Sequence, residues 1–278
     1  MGISRATYYR KSFREKEQIK NDLELKSFVE KIHIEFPGYG YRRIREHLLR
    51  EGVVVNAKRI RRVMNIYSIF SSRTHRNKPR GFHSDLNLRH PNLIRGLKLT
   101  APDQVWATDI TYIKLGREEV YLSAVIDVYT RVVVGWAISK SLKHKFCLDS
   151  MRVAIARRKP KPGIIHHSDR GVQYVCESYM KFLEKHGFRA SMSKVATPTD
   201  NAFIESFFKT LKHEEVFTRN YQSMSDVIRN LPKFIDEVYN KKRLHSSLGY
   251  KAPEEFESEV MKLKQTSRPV QKIWGRAV

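Results

Sequence analysis

Apolar residues recur at two different periods along this chain, and the change of period divides it. Over residues 14–36, Ile19, Leu23, Phe28, Val29 and Ile32 fall at helical spacing, and Pro37-Gly38 breaks the pattern. Residues 41–50 put Ile44 and Leu48 on one side of a second helix, with Gly52 placed to close it. Asn56 is placed to cap a third, whose inner face carries Ile60, Val63 and Met64. Its outer face shows Lys58, Arg59, Arg61 and Arg62. Two helices about a short Gly-containing turn, the second with a basic exposed face, form a helix-turn-helix layout. They equally fit a plain packing element with a solvated surface. Residues 71–81 lose all pattern, and the polar, basic run predicts a linker that follows a polyanion or simply tethers.

Beyond Pro102 the spacing shortens. Residues 105–115, 120–129 and 131–138 are rich in β-branched and aromatic side chains and predict three strands, the last two joined around Thr130-Arg131. A helix over 145–158, a strand over 164–167, a helix over 177–186 and a strand over 188–192 follow. Residues 200–215 (DNAFIESFFKTLKHEE) then place Ile204, Phe207, Phe208 and Leu211 in one apolar stripe, with Thr199 or Asp200 as cap. Asn201, Glu205, Lys209 and Lys212 make a polar stripe beside it. From 225 to 241 a last helical pattern contains Pro232, which predicts a kink or break near Leu231, and the chain closes on a basic tail.

Charge narrows the partners. Lys and Arg number 53 against 29 Asp and Glu, a net charge of +24, which favours a polyanion. The first hundred residues hold 23 basic and 9 acidic side chains, so the excess is densest at the front without being confined there. Cys147 and Cys176 stand apart, which fits a reducing cytosol and gives no zinc-site spacing. No apolar run reaches the length of a membrane span, and no apolar segment follows the basic N-terminus as a signal peptide would require.

Two aspartates sit where strands avoid them. Asp109 lies inside the first predicted strand and Asp169 just past the fourth, and an acid there needs a partner, a solvent opening or a metal. Glu205 lies at the seam between the apolar stripe of its helix and a cationic edge. Alone, that arrangement also fits a surface helix with an i,i+4 Glu205–Lys209 pair. Thirty-five residues separate Asp169 from Glu205.

With WATDIT around the first acid, HSDRGVQY around the second and DNAFIESFFKTLK around the third, the chain resembles the integrase-like transposases of bacterial insertion sequences. More narrowly, it is similar to the second-reading-frame product of insertion sequence family three. The likeness runs over nearly the whole length. YGYRRIREHLLREG and NAKRIRRVM resemble the family's helix-turn-helix-like module, and YNKKRLHSSLGY its C-terminal signature. The resemblance implies an α/β fold, with a ribonuclease-H-like integrase catalytic core of five mixed strands and flanking helices behind a small all-α helix-turn-helix domain. The expected divisions are residues 1–68 (helical, DNA-binding), 69–101 (basic linker), 102–222 (catalytic core) and 223–278 (C-terminal helix and tail). Asp109, Asp169 and Glu205 would bind metal and catalyse, holding two Mg²⁺ or Mn²⁺ ions, which suit oxygen-only ligands. The implied reaction is strand cleavage at element ends followed by attack of the freed 3′-OH on other DNA.

Lys212 and Lys209 would contact DNA near the third acid, and Arg42, Arg43, Lys58, Arg59, Arg61 and Arg62 would do so from the helical domain. Double-stranded DNA and further copies of the chain are the implied partners, in the bacterial cytoplasm at the nucleoid. Residues 1–10 resemble the turn and second helix that end another helix-turn-helix; either the upstream reading-frame product supplies its first helix in a fusion, or this chain is a fragment of a longer protein. Asp127 is read either as a fourth acid or as a structural acceptor near Arg131, and His166 and His167 complete no ligand spacing. Gln173 and Tyr174 would shape the loop after Asp169. Two other functions share these features: a DNA-binding regulator with an inactive core, and a ribonuclease-H-type nuclease that cleaves without joining.

Overall fold

Arg, Lys, Glu and Gln are strong helix formers, and no Gly or Pro interrupts residues 5–35. In the computed structural model, which describes residues 5–71, 90–116, 118–193 and 201–266, this stretch is one helix, α1 (Arg5–Glu35). The expected helix over 14–36 therefore starts nine residues early, and residues 5–10, read as part of a separate helix-turn-helix, are its first turns. Residues 1–4 of that reading lie outside the described residues. The chain forms two compact units, divided between residues 77 and 78.

In the first unit α2 (Tyr41–Arg50) and α3 (Ala57–Ile66) bury Ile44, Leu48, Ile60 and Val63 against Leu25, Val29 and Ile32 of α1. The Asn56 side chain accepts the Lys58 N–H at 2.8 Å, the cap expected at the start of α3. Asp22 of α1 accepts from Arg59 Nε at 3.1 Å and from Arg62 Nη2 at 2.6 Å, which ties α3 to α1.

The second unit is built on a sheet of order β3-β2-β1-β4-β5. Its strands are β1 (Val105–Leu115), β2 (Glu118–Asp127), β3 (Val133–Ser139), β4 (Ile165–Ser168) and β5 (Arg189–Met192). β1, β2 and β3 pair antiparallel, while β1–β4 and β4–β5 are parallel. The turn between β2 and β3 is wider than the pattern suggested, because Asp127 caps it. Its carboxylate accepts the N–H groups of Tyr129 at 2.9 Å and Thr130 at 2.7 Å, and Arg131 takes a left-handed φ of 66°.

Alternate residues face opposite sides of the sheet. Trp106, Val125 and Val134 meet α4 (His144–Arg158) and α6 (Glu177–Lys185) on one side, through Phe146, Met151, Tyr179 and Leu183. The approach of α4 is close enough that a Cβ on Gly135 would lie 2.3 Å from the Ser150 carbonyl oxygen. Between β4 and α6 is a four-residue helix that the pattern did not predict, α5 (Val172–Val175).

On the other side Val105, Ala107, Ile113, Leu122 and Ile126 pack against α7 (Ala202–Leu211) and α9 (Met224–Lys233). The expected cap residues Thr199 and Asp200 lie outside the described residues. Nor is 200–215 one regular helix: a π-type turn over Lys212–Val216 follows α7 and leads to α8 (Phe217–Arg219). Pro232 does not stop α9; the path continues and widens to π winding over Phe234–Tyr239. Part of the expected tail is a helix, α10 (Pro253–Thr266), with Glu254 and Glu255 at its positive end.

Two side chains of the C-terminal signature fasten this layer, one to the sheet and one to the π-type turn after α7. Asn240 accepts the Val133 N–H at 2.9 Å and donates to the Val133 carbonyl at 3.1 Å. Arg243 grips Glu214 with two bonds of 2.7 Å, and both side chains are buried. Breaking a buried pair strands a charge, so Arg243→Met is expected to lower unfolding stability by about 3–5 kcal/mol. The double change with Glu214→Leu should recover most of it, as urea titrations would show.

Candidate active site

Parallel pairing of β1 with β4 puts Thr108 level with Ser168. β4 ends there, so the next residues along the two chains, Asp109 and Asp169, emerge side by side beyond its carboxyl end. Open α/β sheets present their binding crevices at such ends. Asp109 is half-buried and Asp169 exposed. Burial and the neighbouring Asp169 charge push the Asp109 carboxyl well above the ordinary range. Glu205 pushes the same way, while the Ile110 N–H, 2.7 Å from Oδ1, and Lys212 oppose. The Asp169 side chain accepts the Gly171 N–H at 2.9 Å, and a Cβ on Gly171 would stand 2.9 Å from that carboxylate oxygen.

Helix α7 brings the third acid. Ile204, Phe207, Phe208 and Leu211 are buried against the sheet, which leaves Glu205 half-buried at the margin of the stripe. Asn201, just ahead of α7, donates from Nδ2 to the Thr108 carbonyl at 3.3 Å, one residue from Asp109. Lys212 lies in the π-type turn beyond α7, with Nζ 4.3 Å from the centre of the Tyr112 ring. Burial lowers its pKa while Asp109 works against that shift. Lys209, one turn earlier, is exposed. Thus Asp109, Asp169, Glu205 and Lys212 share one electrostatic neighbourhood. Among the described residues no three His, Cys, Asp or Glu side chains form a ready-made metal cluster. The donor chemistry nonetheless suits a hard divalent cation: carboxylate oxygens alone, with one of the acids raised by burial and by its neighbours' negative charge.

The remaining acid and the two histidines stand apart from this group. Asp127 is buried, accepts the Asp103 N–H at 2.6 Å as well as its turn, and is a structural acceptor. His166 Nε2 lies 3.1 Å from Thr108 Oγ1 and 2.9 Å from the Tyr179 hydroxyl, and burial holds its pKa down at about 3, so the ring is neutral. His167 meets Ser191 at 2.9 Å and Ser193 at 3.1 Å. Both rings brace the strands behind the acids. In the helical unit Arg42, Lys58, Arg61 and Arg62 are exposed and Arg43 and Arg59 half-buried. Reading the sequence missed Tyr112 beside Lys212 and the bond from Asn201 to the Thr108 carbonyl, since both depend on contacts far along the chain.

Fold and site together define an integrase-type core behind a small helical domain. The integrase core domain family model matches residues 100–198 and, in a second form, 186–253; an HTH-like domain matches residues 20–78. The chain is 34% identical over 243 residues to the transposase for insertion sequence element IS904 of Lactococcus lactis subsp. lactis (strain IL1403), covering 87% of this chain and 96% of that protein. It is 31% identical over 222 residues to transposase InsF for insertion sequence IS3A of Escherichia coli (strain K12), covering 80% and 77%. The HTLV-2 integrase catalytic core domain in complex with magnesium (dimeric form) aligns at 14% identity and a TM-score of 0.42, over 56% of this chain and 97% of that one. The chain belongs to the integrase-like transposases of bacterial insertion sequences, a family of DDE-type polynucleotidyl transferases that works in DNA transposition. No helix among the described residues is long and apolar enough to cross a membrane.

The repulsion at Asp109 has a measurable consequence. Its carboxyl is raised in the folded state, so without metal the ionised form opposes folding, and stability should rise as pH falls through the raised value. Asp109→Asn should therefore raise the melting temperature of the chelator-treated chain by a few degrees at neutral pH. The gain should vanish in acid, where the wild-type carboxyl is protonated. Thermal melts across pH, with and without chelator, check both.

Proposed function

We propose that this chain cleaves one DNA strand at each end of a mobile element and joins the freed 3′-OH to a second DNA site. Asp109, Asp169 and Glu205 would carry the chemistry. The observation supporting this assignment is the shared negative neighbourhood of these carboxyls where β1 and β4 part company. Three acids would hold a pair of Mg²⁺ or Mn²⁺ ions; when bound, such a pair polarises the scissile phosphate and stabilises the departing oxygen. Asp109 would hold its ligands from within β1 and Asp169 from just past the end of β4, and Glu205 would add its oxygens from α7. Lys212, steadied over the Tyr112 ring, would take a phosphate oxygen, with Lys209 the next contact along the strand. No tyrosine is needed as a nucleophile.

Residues 1–68 would recognise DNA, 69–101 would link, 102–222 would catalyse and 223–278 would complete the core. Arg42, Arg43, Lys58 and Arg61 would meet phosphates or bases from the helical unit. Arg59 and Arg62 are already held by Asp22, so they would reach DNA in a fixed direction. The chain would act on double-stranded element ends and target DNA as a homo-oligomer at the bacterial nucleoid, with the upstream reading-frame product as a fusion partner.

Asp169→Asn should reduce Mg²⁺-dependent cleavage of a terminal-repeat duplex by ~10³-fold or more while leaving duplex binding nearly intact. Unchanged cleavage would remove the assignment. Joined products in the same gel separate a transposase from a nuclease that only cuts. Affinity should also fall steeply with salt, by about one log-log unit per phosphate neutralised.

A further inference from the structure

Opposite its buried face, helix α1 carries exposed apolar side chains interleaved with charged ones such as Lys16 and Glu30. Leu25, Val29 and Ile32 are buried within the helical unit. Phe13, Ile19, Leu23 and Ile34 are 69%, 58%, 49% and 83% exposed. At about 100° per residue these four fall within a stripe roughly 120° wide, on the side opposite the buried three. The stripe runs about 30 Å along the helix. All residues from 13 to 21 are exposed, and a helical segment without tertiary packing is marginal in water. Charge along α1 is graded as well. Residues 5–20 hold six basic and two acidic side chains, whereas residues 21–35 hold two basic and four acidic.

We propose that this face docks a second copy of the same chain, α1 against α1 in antiparallel orientation. That orientation lays the basic half of each helix along the acidic half of the other; a parallel pair would oppose like charges over the full length. Setting Ile19 of one copy beside Leu23 of the other brings Lys16 near Ser27 and Glu30. The contact repeats about a two-fold axis, as a self-complementary interface must. The apolar row supplies burial, and the charge gradient selects direction. None of this depends on the catalytic assignment.

Sedimentation of the full chain without DNA should give twice the 32.7 kDa chain mass in the micromolar range. Leu23→Lys removes a large apolar contact from each copy and should weaken self-association on the order of a hundredfold. Lys16→Glu should weaken it less, and adding Glu30→Lys to the same chain should restore it. Orientation is read separately, in a Cys176→Ser background. Lys16→Cys and Ser27→Cys chains should cross-link when mixed and not when alone. A monomer throughout that range overturns the proposal, as does an unchanged mass for Leu23→Lys. A Leu23→Lys chain that keeps its mass and loses only DNA affinity would assign the face to nucleic acid instead. If that substitution unfolds the helix, the cross-linking pattern decides, and self-cross-linking of each single-cysteine chain would reverse the orientation.

Discussion

Parallel pairing of β1 with β4 is the constraint that sets the acids of the second unit beside one another. Asp109 and Asp169 are each the residue next after a paired strand position, Thr108 and Ser168. Sheet hydrogen bonds fix those positions, so the local electrostatic cost is carried by the stability of the whole sheet. The scaffold around them is accordingly stiff. His166, neutral and bonded to Thr108 and Tyr179, ties β1 to β4 and α6, and His167 ties β4 to the serines on and after β5. The His166 ring, held neutral by burial, adds no positive charge beside the acids.

The succession of strands and helices and the apolar stripe of α7 were legible, and the three acids stood out by their flanking motifs. These are features of local composition: β-branched runs, a 3.6-residue repeat, a spacing of 35. Features that depend on what one side chain meets far along the chain were not legible. Asp127 looks like a fourth acid in a strand, and only the folded turn shows its oxygens filled by backbone N–H groups. Arg59 and Arg62 look like a free basic face, whereas Asp22, 37 and 40 residues earlier, holds both. The π-type turn that carries Lys212 over Tyr112 could not be told from regular helix, because winding is decided by tertiary packing rather than propensity.

Basic residues serve two purposes here, and pairing separates them. Arg243 is buried against Glu214, and Arg158 reaches Glu257 at 2.6 Å, so these cations close the fold on acids of its own. Arg42, Lys58, Arg61 and Lys209 are exposed on helix surfaces, and much of the net charge of +24 resides in such groups. An excess of that size opposes compaction unless a polyanion is near. The fold thus keeps its internal ion pairs balanced while its outer surface stays unbalanced in the sense that DNA would correct.

The acids divide by the same test, and more sharply. Each buried carboxylate of the second unit finds a compensating group: Asp127 its backbone donors, Glu214 an arginine, Glu215 both Arg219 and the Tyr221 hydroxyl. At Asp109 burial and the neighbouring Asp169 and Glu205 charges outweigh the Ile110 N–H and Lys212, and the carboxyl stays raised. A residue kept for folding alone would be better as asparagine, which keeps the shape and sheds the repulsion. Under the proposed function, a divalent cation entering among these acids would turn the same repulsion into affinity.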